Sequence, residues 1–281
     1  MTQPLSSLDQ ESFAPLKIWA VVLVRAGSKR LPQKAMRPLL GQPMVSWYLK
    51  ALSEAQGFER RFLFTDDPDV LDCTTLQHPA IEIPTFLRPS QTSTDDTSSF
   101  DTLRYFLKQW DPALLPPWVM LGQCTSPLVD AKDFEKALAL LASQDQAQGL
   151  LSVCAPAKPL TWLLTAQAHA SGLQHVQPHP VAKSMGQDYL PNGAFYILRT
   201  QALLETKGPF SLWDHSPILP YVMPYARSID IDTPEDFQVA EALLQTQRQI
   251  SPMPEASYSI QSNLAPLRPR LQVSPPASSC L

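Results

Sequence analysis

IWAVVLVRAGSKRLPQKA, Ile18–Ala35, begins as an apolar run of strand length and breaks directly into a small basic loop. Ile18, Val21, Val22, Leu23 and Val24 are mostly β-branched and uncharged, the pattern of a strand covered on both faces of a parallel sheet. The loop then places Arg25, Lys29, Arg30 and Lys34 around Gly27 and Ser28. Open α/β sheets bind their ligands at the carboxyl ends of such strands. The stretch therefore predicts a central strand that delivers cations to a polyphosphate, with backbone amides at 26–29 forming an anion nest. The loop is not a Walker A sequence, since GxxxxGK[ST] is absent. Spacing alone leaves a solvated basic turn as the competing reading.

Moving outward, Pro43–Ala55 carries Val45, Tyr48, Leu49, Leu52 and Ala55 on one helical face. Arg61–Thr65 is a second strand ending at Asp66-Asp67, residues 68–76 read as a helix, and Glu82–Leu87 as extended. A polar loop after Pro89 offers Asp96, Thr97 or Ser98 as the cap of a helix reaching Trp110. Pro117–Leu121 is a third central strand, followed by a helix capped at Asp130. Gly149–Cys154, Gly193–Arg199 and Ser228–Ile231 read as further strands, and Thr233-Pro234 starts a last helix running to about Gln247. Strand alternating with helix argues for right-handed βαβ units, hence an α/β fold with a mostly parallel sheet. Residues 156–190 show no clear period and are expected to form an excursion from the sheet, as a lid or an oligomer contact.

Composition sets the outer bounds. A chain of 281 residues with 44% hydrophobic content can build a large core without staples. A net charge of −4 leaves no global basic field for nucleic acid or an anionic membrane, so the basic loop is a local feature. Cys73, Cys124, Cys154 and Cys280 form no CxxC pair, which argues against zinc and disulfide frameworks and for reduced thiols in the cytoplasm. The first residues lack the basic and apolar regions of a signal sequence, and no apolar run approaches a membrane span. Residues 1–16 and 248–281, the latter rich in Pro and Ser, are expected to be flexible tails around a domain at 17–247.

Asp230 and Asp232 alternate along the expected strand at 228–231, so both carboxylates would face one side, about 6–7 Å apart at the backbone. Two hard oxygen ligands on one face suit Mg²⁺, which keeps waters and bridges substrate phosphates. The competing reading is the wet face of an edge strand.

These pieces together resemble the acylneuraminate cytidylyltransferase family, the CMP-sialic acid synthetases with their legionaminic and pseudaminic acid relatives. RAGSKRLPQK at 25–34 resembles the triphosphate loop, TDD at 65–67 follows the second strand, and RPSQTSTDDTSSFD at 88–101 resembles the cytidine segment. QCTSPL at 123–128 resembles the family's QPTSPL, PNGAFYI at 191–197 its NGAIYI strand, and IDIDTPEDF at 229–237 its metal motif. The resemblance implies a Rossmann-like nucleotidyltransferase fold with helices on both faces of the sheet, and a homodimer. It implies Mg²⁺-dependent transfer of CMP from CTP to the anomeric hydroxyl of a nine-carbon 2-keto sugar acid, releasing pyrophosphate. Carried over by position, Arg25 and Lys34 would hold the triphosphate with Ser28 and the backbone at Ala26 and Gly27. Arg88 and Ser99 would contact the cytidine, Gln123 and Asn192 would serve the acceptor sugar, and Asp230 and Asp232 would hold Mg²⁺. Rival readings are an eight-carbon 3-deoxy acceptor, a different nucleotide donor, and a nucleotide-binding homologue without turnover.

The departures from the family pattern are local. Ala35 stands where the family usually has Asn, the loss of one such hydrogen bond being worth roughly 1 kcal/mol. Cys124 replaces a proline and Val129 an arginine. AKSMGQDYLPNG at 182–193 lacks the family's arginine-rich RRQDLP stretch, leaving Lys183 as the cation that could meet the acceptor carboxylate. The bland readings cover the rest: His169, His175 and His179 on a solvated excursion, Cys124 as a small buried thiol, and Trp47, Trp110 and Trp162 as packing groups.

Overall fold

The computed structural model describes residues 16–71, 83–94, 96–158, 160, 164–168, 174–178, 188–206 and 217–249. Both expected tails, apart from their innermost residues, and the far half of the helix expected at 68–76 lie outside these residues. So do Lys183, His169, His179 and Trp162.

Strand β1 (Ile18–Val24) is buried at every position. Its side chains divide strictly by parity, as a period of two requires. Ile18, Ala20, Val22 and Val24 enter one core; Trp19, Val21 and Leu23 enter the other. The strand is also central in the sheet, pairing in parallel with β4 (Arg60–Thr65) on one side and β6 (Trp118–Gln123) on the other. Two minor ladders lie outside the main sheet. They are β2 (Pro38–Leu39) with β3 (Gln42–Pro43), and β8 (Leu164–Ala168) with β9 (Gln174–Pro178), both antiparallel. The excursion at 156–190 thus contains a hairpin that the sequence pattern did not reveal.

The remaining strands are β5 (Thr85–Leu87), β7 (Gly149–Cys154), β10 (Leu190–Arg199) and β11 (Ile218–Val222). The 7-stranded order is β11-β7-β10-β6-β1-β4-β5. Only β10 runs against its neighbours, β6 and β7; the other pairs are parallel. Helices α1 (Met44–Glu54), α3 (Ala131–Ala142) and α5 (Pro234–Gln249) pack on the face that receives Ile18 and Val22. Helices α2 (Ser99–Leu107) and α4 (Thr200–Glu205) cover the opposite face. The fold is the Rossmann-like α/β arrangement expected.

Local chemistry fixes the helix starts. Of the three residues offered as the cap of α2, Ser98 takes the role, its hydroxyl accepting from Asp101 N at 3.1 Å. Asp130 and Asp133 form a reciprocal capping box at α3, and Thr233 Oγ1 accepts from Asp236 N at 3.2 Å ahead of α5. Helix α2 stops at Leu107, short of Trp110, whose ring instead packs edge-on against Trp19 with centroids 4.9 Å apart. No helix among the described residues is long and apolar enough to cross a membrane.

One strand expectation fails. Residues 228–231 do not join the sheet; the edge position beside β7 is filled by β11, which local pattern left unassigned. A 3₁₀ turn at Tyr225–Arg227 breaks the chain away from the ladder. The 228–232 segment then crosses to the strand ends, where Ile231 N donates to Thr125 O at 2.8 Å.

Candidate active site

A cleft of about 710 Å³ opens at the carboxyl ends of β1 and β6. Because Leu23 pairs with Gln123, the two strands finish side by side and their following residues share one wall. The cleft is lined by Arg25, Ser28, Arg30 and Lys34 from the basic loop, Gln123–Thr125 from the end of β6, and Asp230 and Asp232. Arg88 and the approach to α2, Thr97–Ser99, close another side. A shallower recess of about 530 Å³ adjoins it between Gly27–Lys29 and Ser93, Thr94 and Asp96.

The loop is tied to the next strand. Asp66, at the end of β4, accepts from Ala26 N at 3.0 Å, and Ser28 N donates to Ala26 O at 2.9 Å. The nest expected at 26–29 is therefore not available as such, since two of its amides are spent within the protein. Ala26 is absent from the cleft wall and Gly27 faces only the shallow recess.

Lys34 and Arg30 both reach Asp232. Lys34 Nζ donates to Asp232 Oδ1 at 3.0 Å and to the Ile231 carbonyl at 2.7 Å, while Arg30 Nη2 donates to Asp232 Oδ2 at 2.8 Å. Asp230 is an exposed residue, but its carboxyl lies against β10 and the end of β6. Burial pushes its carboxyl up, the hydrogen bond from the Thr125 hydroxyl opposes this, and Asp232 adds to the rise. Gly193 lets β10 pass beside it: its φ is +77°, and a β-carbon there would lie 3.0 Å from Asp230 Oδ2. Gln123 Nε2 donates to Ser99 Oγ at 3.5 Å, joining the β6 wall to the start of α2.

Arg88 and Asn192 have most of their hydrogen bonds inside the protein. The Arg88 side chain is buried, donating to Thr92 O at 3.0 Å from Nε and to Thr102 Oγ1 at 3.0 Å from Nη2. It organises the 88–102 loop while one edge meets the cleft. Burial lowers its pKa, with Asp66 opposing and Arg25 reinforcing. Asn192, expected at the acceptor, is not on the cleft wall. Nδ2 donates to Ser228 Oγ at 3.0 Å and Oδ1 accepts from Ala194 N at 3.2 Å, so its amide fastens the 228–232 segment to β10.

A brace absent from the sequence reading holds the same segment. Arg227 pairs with Asp130 and, at 2.9 Å, with Asp133 at the start of α3. Asp133 is 1% exposed and also accepts from Tyr221 OH at 3.1 Å. Burial raises its pKa and Arg227 opposes the rise. Thr125 and Gly193 lie inside the QCTSPL and NGA motifs, so a signal for both was present; nothing local marked Arg227.

Asp230 and Asp232 are the carboxylates on the cleft wall. No group of three or more His, Cys, Asp or Glu side chains suited to a metal occurs among the described residues. Two hard oxygen donors, one crowded by burial and by the other's charge, fit a divalent cation that completes its shell with water and phosphate.

Residues 19–253 match the cytidylyltransferase family model. The chain belongs to that family.

Among relatives of this chain, the N-acylneuraminate cytidylyltransferase of Escherichia coli is 27% identical over 238 residues, 82% of this chain and 52% of that protein. The enzyme of the same name from Oncorhynchus mykiss is 28% identical over 233 residues, 80% of this chain and 49% of its own. The chain thus spans about half the length of these relatives. It spans 97% of the CMP-N,N'-diacetyllegionaminic acid synthase of Legionella pneumophila, at 27% identity over 236 residues and 82% of this chain. Two solved structures share the fold at a TM-score of 0.58. One is a CMP:2-keto-3-deoxy-manno-octonic acid synthetase complexed with CTP, 19% identical, with 82% of this chain and 99% of that chain covered. The other is the 4-diphosphocytidyl-2C-methyl-D-erythritol synthase of Anaerococcus prevotii, 16% identical, with 83% and 98% covered.

The departures from the family pattern have structural settings in this chain. Ala35, in the 3₁₀ turn Lys34–Met36, is buried and lines the cleft, and Val129 is buried in the adjoining core. Cys124 is enclosed, and burial pushes its thiol up to about 12, with Lys34 opposing the rise. It is a packing thiol at neutral pH.

Proposed function

We propose that the chain transfers CMP from CTP to the anomeric hydroxyl of a sialic-acid-like nine-carbon 2-keto sugar acid, releasing pyrophosphate. The observation that carries this reading is the convergence of Arg25, Arg30 and Lys34 with Asp230 and Asp232 on one cleft at the ends of β1 and β6. A triphosphate with close to four negative charges needs that cationic loop, and the leaving pyrophosphate is stabilised by the same groups. In the wild-type relatives' names the acceptors are N-acylneuraminate and N,N'-diacetyllegionaminic acid; this chain's acceptor is proposed from the same class.

The roles divide by wall. Arg25, Ser28 and Lys34 hold the phosphates, and the loop organised by Arg88, with Ser99 at its end, meets the cytidine. Gln123, between that loop and Asp230, meets the acceptor. The anomeric hydroxyl is a weak nucleophile until its proton leaves, and an aspartate of the cleft would take that proton. Asp230 and Asp232 would hold Mg²⁺, which when bound supplies charge neutralisation at the phosphates. Retention of both aspartates and of Lys34 favours an active enzyme over a nucleotide-binding homologue. The same reading includes a cytoplasmic homodimer, with the 156–190 excursion as a lid or as the dimer contact.

The test is pyrophosphate release from CTP and Mg²⁺ with sialic, legionaminic, pseudaminic and eight-carbon 3-deoxy acids, repeated with UTP, ATP and GTP. Release with CTP and a nine-carbon acid is expected. Release only with the eight-carbon acid or another nucleotide, or CTP binding by calorimetry without turnover, overturns the reading.

A further inference from the structure

Both oxygens of the Asp232 carboxylate are taken by cations, Oδ2 by Arg30 at 2.8 Å and Oδ1 by Lys34 at 3.0 Å. Arg30 is the outer member, with its side chain 67% exposed against 15% for Lys34. Lys34 also holds the Ile231 carbonyl, but Arg30 bonds the Asp232 side chain and not the backbone. Asp236 accepts from the amides of Asp232 and Thr233 at 3.1 and 2.8 Å, so the turn keeps its shape without the pair. An exposed ion pair of this kind is weakly held, and Arg30 lines the same cleft as Lys34.

We infer that Arg30 is a further triphosphate-binding residue, which with Lys34 occupies Asp232 until nucleotide phosphates draw both cations away and free that carboxylate for a divalent cation. The inference rests on the proposed nucleotide site. Phosphate oxygens offer a guanidinium charge-assisted bonds in greater number than one carboxylate can. A divalent cation arriving first meets an Asp232 already neutralised and two positive groups beside it. Arriving after the phosphates, it meets both oxygens uncovered, with Asp230 adding charge of the sign it seeks. The two ligands therefore assist each other, and linkage requires the assistance to be reciprocal.

The consequence is a pair of opposite effects in one variant. Arg30→Ala uncovers half of Asp232, so Mn²⁺ alone, followed by the paramagnetic signal of the free ion, should bind up to about tenfold more tightly than to the wild-type chain. CTP measured by calorimetry in EDTA should bind about tenfold more weakly. Arg30→Lys, which keeps the charge, should restore both toward wild type. Unchanged or weaker Mn²⁺ binding in Arg30→Ala, or unchanged CTP binding, overturns the inference, provided the wild type binds CTP. A wild-type chain that does not bind CTP overturns the proposed function and this inference with it.

Discussion

Gly193 and Asp230 approach so closely that a β-carbon on the glycine would lie 3.0 Å from Oδ2 and 3.3 Å from Cγ of the aspartate. The same β-carbon would meet Gln123 Oε1 at 3.3 Å, so the glycine sits against the side chains of both Asp230 and Gln123. At φ +77° an alanine also bears about 1–2 kcal/mol of backbone strain. Gly193→Ala should lower the melting temperature modestly and reduce turnover by at least about tenfold through displacement of Asp230. A Gly193→Ala enzyme with wild-type rates would show that Asp230 need not hold this position.

The brace at Arg227 can be tested by stability. Removing the guanidinium leaves Asp133, 1% exposed, with a buried carboxylate bonded by the Tyr221 hydroxyl and the Asp130 amide and with no cation beside it. Arg227→Ala should cost about 3 kcal/mol in denaturant unfolding, with most of that recovered by adding Asp133→Asn. The sign with pH follows from the raised folded-state pKa of Asp133. A carboxyl raised by folding opposes stability increasingly as pH climbs from its unfolded toward its folded value, and not below. The deficit of Arg227→Ala should therefore shrink as the solution is acidified. A deficit that grows instead would place the destabilisation elsewhere.

Cys124 should resist alkylation. With its thiol pushed up to about 12 by burial, almost no thiolate exists at pH 8. Peptide mass mapping after iodoacetamide treatment of the native chain should show Cys124 unmodified, and modified once the chain is denatured. Rapid native labelling would mean that the cleft opens around β6 more than the packing indicates.

Legibility in the sequence followed the range of the interaction. Strand β1 was plain because seven consecutive apolar residues are buried on two faces, and the caps at Asp130 and Thr233 were plain because each bond closes within three residues, whereas three candidates stood side by side ahead of α2. The reversed direction of β10 and the use of β11 as the edge were not, since both depend on partners remote in sequence. The Asp232 clamp is the extreme case, joining Arg30 to a residue 202 positions away. Motifs located both members but could not show that they neutralise each other. Asn192 shows the converse: a motif residue whose amide serves the fold of the segment carrying Asp230, not the cleft wall.

Replacement of Asp230 separates binding from chemistry. Asp230→Asn keeps the shape and can retain the Thr125 contact while removing the charge that burial already strains. Turnover should fall by at least about a hundredfold, with CTP affinity in EDTA within about threefold of wild type, because Arg25, Arg30 and Lys34 are unaltered. Equal losses in both would assign Asp230 to nucleotide binding.

The central claim is attack at the α-phosphorus of CTP by a sugar-acid hydroxyl within this cleft. CTP labelled at the α-phosphate in one reaction and at the γ-phosphate in another, with Mg²⁺ and a nine-carbon 2-keto sugar acid, tests it directly. The account predicts that α-label moves into a CMP-sugar acid while γ-label leaves in pyrophosphate. Release of γ-label as inorganic phosphate, or α-label retained in CTP or CDP across the acceptor panel, would contradict it.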